Sequence, residues 1–283
     1  MVPYLTDRSE QYVIGTHEDC LNLSDAANPN EISPPERRGG SRLISRVLPP
    51  AVRLWIQSQL DHVDSLEFSL EGKDRQIVSG YVPEVSLSAA KAIYEGLHLS
   101  QVRATAAEIR FNLGQMLRGK PLRLLQPFPV DGQVCLYAED LLASLPSPLL
   151  SQGLQDVLLR LVSAHPALFP ENSHIRDLLA DFSRASATTS IGLGQNQLTL
   201  TWQPEQPLGE LVTLTTGLWV RDGSLLCLAQ PQVTVTQPQQ TNSPPITLDD
   251  VVIDLGSAVS IQTLRVSQEL IEVVGTLRVV PGD

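Results

Sequence analysis

From Ile191 to Val280 the apolar residues recur with a period of two, and few cationic residues break the pattern. Leu198, Leu200 and Trp202 alternate with Gln197, Thr199 and Thr201. Val212, Leu214, Leu218 and Val220 alternate with Thr213, Thr215 and Gly217. Ile271, Val273, Leu277 and Val279 keep one parity past Gly275. Successive side chains of an extended chain point to opposite faces. The spacing therefore predicts strands with one apolar face and one face of Thr, Ser and Gln. Such a face has to be covered by a helix, another sheet or a lipid. No catalytic motif accompanies it, so function has to be sought in what covers the face.

Charge and cysteine usage narrow the classes. A net charge of −11 argues against nucleic acid as a partner, because phosphate contacts need clustered Lys and Arg. It also weakens simple attraction to anionic lipid. Cys20, Cys135 and Cys227 are odd in number and far apart. Cys135 and Cys227 sit in apolar runs and read as small buried hydrophobes, which suits a reducing compartment. The first residues carry Asp7, Arg8 and Glu10 with no apolar stretch behind them, so no secretory signal is expected. No apolar run approaches the roughly 18 residues of a membrane-crossing helix. The expected location is cytoplasmic, peripheral to a membrane.

Along the chain, residues 1–40 are polar and rich in Pro, Asn and Ser, which predicts a disordered or loosely attached acidic tail. A docking segment through Tyr12, Val13 and Ile14 is the competing reading. Residues 41–283 read as a single domain. Leu43, Ile44, Val47 and Leu48 form a helical stripe. After Pro49-Pro50 a second stripe follows at Val52, Trp55, Ile56, Leu60 and Val63. Leu66, Phe68 and Leu70 share a strand face. Gly72 to Arg75 reads as a turn, Ile77 to Leu87 as a strand, and Ser88 to Leu97 as a short helical turn. Val102 to Leu113, Leu122 to Leu125 and Gln133 to Tyr137 read as strands. Helices are predicted at Ala138–Leu145, after Ser147-Pro148, and near His174–Arg184. Helices segregated from antiparallel strands indicate an α+β fold: a long, strongly curved, mainly antiparallel sheet that can wrap, or be covered by, amphipathic helices or form a groove.

Candidate chemistry is sparse. The five histidines lack a second ligand at metal spacing, and there is no nucleophile elbow or phosphate loop. No catalytic residue, metal site or cofactor is expected. One basic cluster stands out, Arg118, Lys120 and Arg123, with Arg103 and Arg110 on the preceding strand, among Leu117, Leu122, Leu124 and Phe128. Cationic stems beside exposed Leu and Phe suit a lipid headgroup boundary; an ordinary hairpin end whose apolar residues are core is the other reading.

Several segments together resemble a known family. They are Gly80-Tyr81-Val82, Val85-Ser86-Leu87, Tyr94-Glu95-Gly96-Leu97, Val102 to Asn112, and Cys135-Leu136-Tyr137-Ala138-Glu139-Asp140-Leu141. Asp254 to Ile261 and Gly275 to Val279 complete the pattern, which covers roughly residues 40–283. It resembles the LmeA-like phospholipid-binding family, widespread in cyanobacteria and actinobacteria and similar to tubular lipid-binding proteins. The resemblance implies a curved sheet with long helices enclosing an elongated apolar cavity that binds lipid.

The expectation is a non-enzymatic lipid-binding or lipid-transfer protein. Trp55, Phe68, Leu70, Phe111 and Leu113 are expected to line the groove, and Arg118, Lys120 and Arg123 to meet the headgroup. Lipid is the expected partner, with transient contact to a membrane surface. The alternative is an interaction or assembly factor that fills its own core and binds a protein partner.

Overall fold

The computed structural model describes residues 52–54, 56–112, 115, 123–169, 177, 179, 189–204, 210–236 and 244–281. All of them belong to one unit, Gly39–Asp283. The predicted N-terminal tail and the stripe from Leu43 to Leu48 lie outside the described residues, as does most of the helix expected at His174–Arg184.

The strands form two sheets rather than one continuous sheet. The first combines β1 (Ser65–Glu71), β2 (Tyr81–Tyr94), β3 (Leu97–Arg110) and β4 (Phe128–Tyr137) with the C-terminal hairpin β11 (Val259–Val266) and β12 (Leu270–Val279). Its order is β1-β2-β3-β4-β12-β11. The second contains β5 (Thr189–Gly194), β6 (Gln197–Trp202), β7 (Leu211–Arg221), β8 (Leu225–Thr236) and β10 (Val251–Asp254). Its order is β10-β8-β7-β6-β5, with β9 (Ile246–Thr247) beside β8. The periodic C-terminal block is thus divided between the sheets. The division falls after β10, because β12 finds ten pairing positions along β4. Turns of the second sheet dock on edge strand β11. The Asn196 amide donates to the Val266 carbonyl at 2.8 Å, and the Ile261 amide to the Gly223 carbonyl at 2.7 Å.

Two local expectations are overturned. Residues 88–97 are not helical: β2 runs through Tyr94, and Glu95-Gly96 turns it into β3 with both φ positive, at 48° and 75°. That is the backbone of a two-residue hairpin, and Tyr94 pairs with Leu97 across it. The alanines of this stretch are strand residues, and the small side chains of Ala89 and Ala92 pack beneath Ile56, Leu60 and Val63. Likewise the turn at Gly72 continues into one helical turn, α1 (Asp74–Val78), so Ile77 is a buried helical residue and β2 begins only at Tyr81.

Two further helices, α2 (Ala138–Ser144) and α3 (Pro148–Ala164), follow the predicted boundaries closely. The Ser147 hydroxyl accepts the Leu150 amide at 3.1 Å, and Pro148 opens the first turn, where its missing amide costs nothing. Ser147→Ala is expected to cost about 1 kcal/mol, read as a lowered midpoint in urea at unchanged slope. Leu154, Val157, Leu158, Leu161 and Val162 stripe one side of α3. That side packs on Leu200, Trp202, Val212, Leu214 and Leu228 of the second sheet. His165 ends the helix as a buried linker. Its Nδ1 contacts the Leu161 carbonyl at 2.9 Å, and its Nε2 accepts the Asp249 amide at 3.0 Å. One partner is an acceptor and the other a donor, so the Nδ1–H tautomer satisfies both.

Cys227 is a free, buried thiol, as expected. Cys135 is also buried but is disulfide-bonded. That corrects the reading of Cys135 as a small buried hydrophobe with a free thiol, and removes the support it lent to a reducing compartment.

Candidate functional site

The strand register makes one face of the first sheet continuously apolar. Three cross-strand rows run over all six strands. The first is Leu66, Ala89, Val102, Val134, Val273 and Leu264. The second is Phe68, Leu87, Ala104, Gly132, Gly275 and Ile261. The third is Leu70, Val85, Ala106, Val130, Leu277 and Val259. None of these positions carries a polar side chain. At about 4.8 Å between strands, the rows extend for roughly 24 Å.

The first row is the best covered. Ile56, Leu60 and Val63 pack at its β1–β3 end. Leu141, Ile191, Leu193 and Leu218 pack near Leu264 and Val273 at the other. The other two rows are more open. Phe68, Leu70, Val85, Leu87, Ala104 and Val130 are only half-buried, and Leu277 is 49% exposed. The centre of the middle row is a furrow of small residues, Ala104, Gly132 and Gly275, between valines. A Cβ placed on Gly132 would meet only the Arg103 and Gly275 carbonyls, at 3.7 and 4.0 Å. Among the described residues, no side chain comes within 4 Å of that Cβ.

The reverse face is polar. Ser69, Ser86, Thr105, Asp131, Thr276 and Ser260 form one row there. Beside it, Arg103 Nη1 donates to Gln133 Oε1 at 3.5 Å, Gln133 Nε2 donates to Glu272 Oε1 at 2.8 Å, and Arg265 pairs with Glu272 at 3.6 Å. This chain of contacts ties β3, β4, β12 and β11 together. Shallow hollows of about 460 and 240 Å³ on this sheet are walled by Ser86, Ser88, Arg103, Thr105 and Gln133, which places them on the polar side.

The second sheet has an apolar face too, but α3 fills most of it. What remains is a hollow of about 130 Å³ under the middle of the helix, lined by Leu154, Val157 and Leu158 above and by Leu200, Leu214, Leu218 and Leu228 below.

The predicted lining residues separate. Phe68 and Leu70 lie on the apolar face. Phe111 lies past the end of β3, bridged to Leu124, on the strand parity of Ile109 and so opposite to theirs. Trp55, Leu113, Arg118 and Lys120 lie outside the described residues. Arg123 is exposed, its amide held by Asn112 Oδ1 at 2.7 Å. The basic group does not gather as a whole. Arg103 lies in the polar face seven residues from Arg110, about 23 Å along the strand, and Arg110 stacks over the Tyr81 ring at 4.9 Å. The furrow residues Ala104, Gly132 and Gly275 were missed. Their signal was present as alternation with Arg103, Thr105, Asp131, Gln133, Val274 and Thr276, but small side chains carry little weight in an apolar pattern.

At the α2 end of the apolar face, Asp140 accepts the Tyr137 amide at 3.0 Å and the Ser100 hydroxyl. Burial raises its carboxyl above the ordinary aspartate value, with the Tyr137 amide opposing. The folded state therefore binds this proton more tightly than the unfolded chain. Its stabilising contribution is complete below the ordinary value and is lost as pH rises through the raised one. Thermal midpoints measured against pH are expected to move in favour of Asp140→Asn relative to the parent across that window, then level off.

No three His, Cys, Asp or Glu side chains converge on a metal-binding geometry among the described residues. No described helix is long and apolar enough to cross a membrane.

Two antiparallel sheets, one carrying an uninterrupted apolar face that is partly exposed, define a β-rich protein. A family model for LmeA-like phospholipid-binding proteins matches residues 39–276, and the chain belongs to that family. Comparison with curated proteins and with solved structures found no significant match to either.

Proposed function

We propose that this protein binds phospholipid non-enzymatically, for storage or transfer, with the acyl chains lying against the apolar face of the first sheet. The observation that carries this reading is the set of three unbroken rows, whose central furrow has no described side chain within 4 Å of a Cβ placed on Gly132. The furrow and its flanking rows are about as long as a common acyl chain. Each methylene removed from water contributes about 0.8 kcal/mol, so a chain laid there needs no specific polar contact to bind usefully. Phe68 and Leu70 line the β1 end in this reading, and Arg123, with Arg118 and Lys120 shortly before it in the chain, meets the headgroup at a membrane surface. Purified protein is expected to release phospholipid on organic extraction, to show it in native mass spectra, and to take up a fluorescent acyl probe. Absence of both lipid and uptake overturns the proposal. It would favour the assembly-factor reading, for which the second sheet, filled by its own helix, is the supporting observation.

A further inference from the structure

The hollow beneath α3 is separate from the furrow, yet apolar side chains packed on both sides bridge the two regions. Leu218 lines the hollow and also packs in the cluster of Leu141, Leu264 and Val273, where the first sheet's apolar face ends. Ile191 packs against both clusters. The hollow itself offers nothing to a polar group. Its only polar lining residue is Thr216, whose hydroxyl is directed to the Gly217 and Ala229 carbonyls at 3.1 and 3.3 Å. An enclosed apolar cavity of about 150 Å³ stays dry and holds a benzene molecule. At about 130 Å³ this one has room for five or six carbons at most, far short of a whole lipid.

We propose that the hollow under α3 receives the terminal methyl segment of an acyl chain whose remainder lies on the first sheet; this rests on the phospholipid-binding reading above. The chain end passes Leu218 and Ile191 and stops against Leu158, Leu214 and Leu228. Two consequences follow from the volume. Affinity rises about fourfold per methylene only over the chain lengths that reach and fill the hollow. A small apolar molecule competes with long chains and not with short ones.

The test uses the full chain, benzene as the small probe, and phosphatidylcholines from didecanoyl to distearoyl. Benzene is expected to bind saturably by ligand-observed NMR and to be displaced by dipalmitoyl but not by didecanoyl lipid. Val157→Phe and Leu198→Phe each fill the hollow from a different wall. Both are expected to abolish benzene binding and to lower affinity for the dipalmitoyl lipid about tenfold, leaving the didecanoyl lipid unchanged. Long-chain affinity that survives filling overturns the inference while sparing the phospholipid reading. No binding of any phosphatidylcholine overturns both. Should neither variant fold, failure of dipalmitoyl lipid to displace benzene from the parent protein overturns the inference.

Discussion

Gly132→Leu is expected to lower acyl-probe capture about tenfold while leaving the fold at least as stable as the parent. The new side chain stands on the apolar face, in the middle of the furrow between Ala104 and Gly275. Its Cβ meets nothing closer than 3.7 Å, so the backbone accepts it. Glycine inside a strand costs about 0.5–1 kcal/mol in chain entropy, which the substitution recovers and which offsets the exposed leucine. The leucine occupies the volume of several methylenes, and losing two bound methylenes already accounts for the tenfold effect. Its row neighbour behaves differently. A Cβ on Gly275 would stand 2.7 Å from the Ser260 carbonyl and 3.0 Å from Ile261 Cα, beside the bulge in β11. Gly275→Ala is therefore expected to lower stability by about 1–3 kcal/mol, because edge strand β11 must move. Probe titration and thermal melting on the two variants separate the roles: one glycine leaves space for a ligand, the other lets two strands approach. Unchanged probe capture by a folded Gly132→Leu protein would count against the furrow.

Trp202→Ala is expected to be the most damaging substitution in the second sheet. The indole is completely buried, in a cluster with Leu158, Leu161, Phe169 and Val212. Removing a large buried aromatic costs about 3–5 kcal/mol, because the lost transfer energy is joined by the cavity that the surroundings only partly close. For a domain of this size that lowers the thermal midpoint on the order of 10 °C. The damage should spread to α3, whose apolar side rests on the same cluster. Loss of helical circular dichroism is expected to coincide with loss of the near-ultraviolet tryptophan signal. A shift of only a few degrees would mean that α3 contributes little to the core.

Much of this architecture follows from local pattern. The parity of Leu198, Leu200 and Trp202 on β6, and of Val212 and Leu214 on β7, matches the buried face. It does so because strand periodicity depends on the chain alone and large side chains report it clearly. The α3 boundary was equally legible, since Ser147-Pro148 is a local signal whose chemistry needs no distant partner. Phe68 and Leu70 were recognised as one face for the same reason. The furrow was not, because Ala104, Gly132 and Gly275 carry too little apolar surface to mark a face until their neighbours are known.

What the sequence determined by itself, then, was which residues share a face, where α3 begins, and which family the pattern resembles. These depend on interactions within a few residues. Only the tertiary structure decided that β11 and β12 leave the C-terminal block to pair with β4, and that α3 takes the second sheet's face as its own. The same pairing aligns three small residues from three strands into a furrow. Those outcomes depend on register between segments more than a hundred residues apart, as between Gly132 and Gly275. Cross-strand pairing energies are small and similar for many alternatives, and the choice falls to the packing of the whole core.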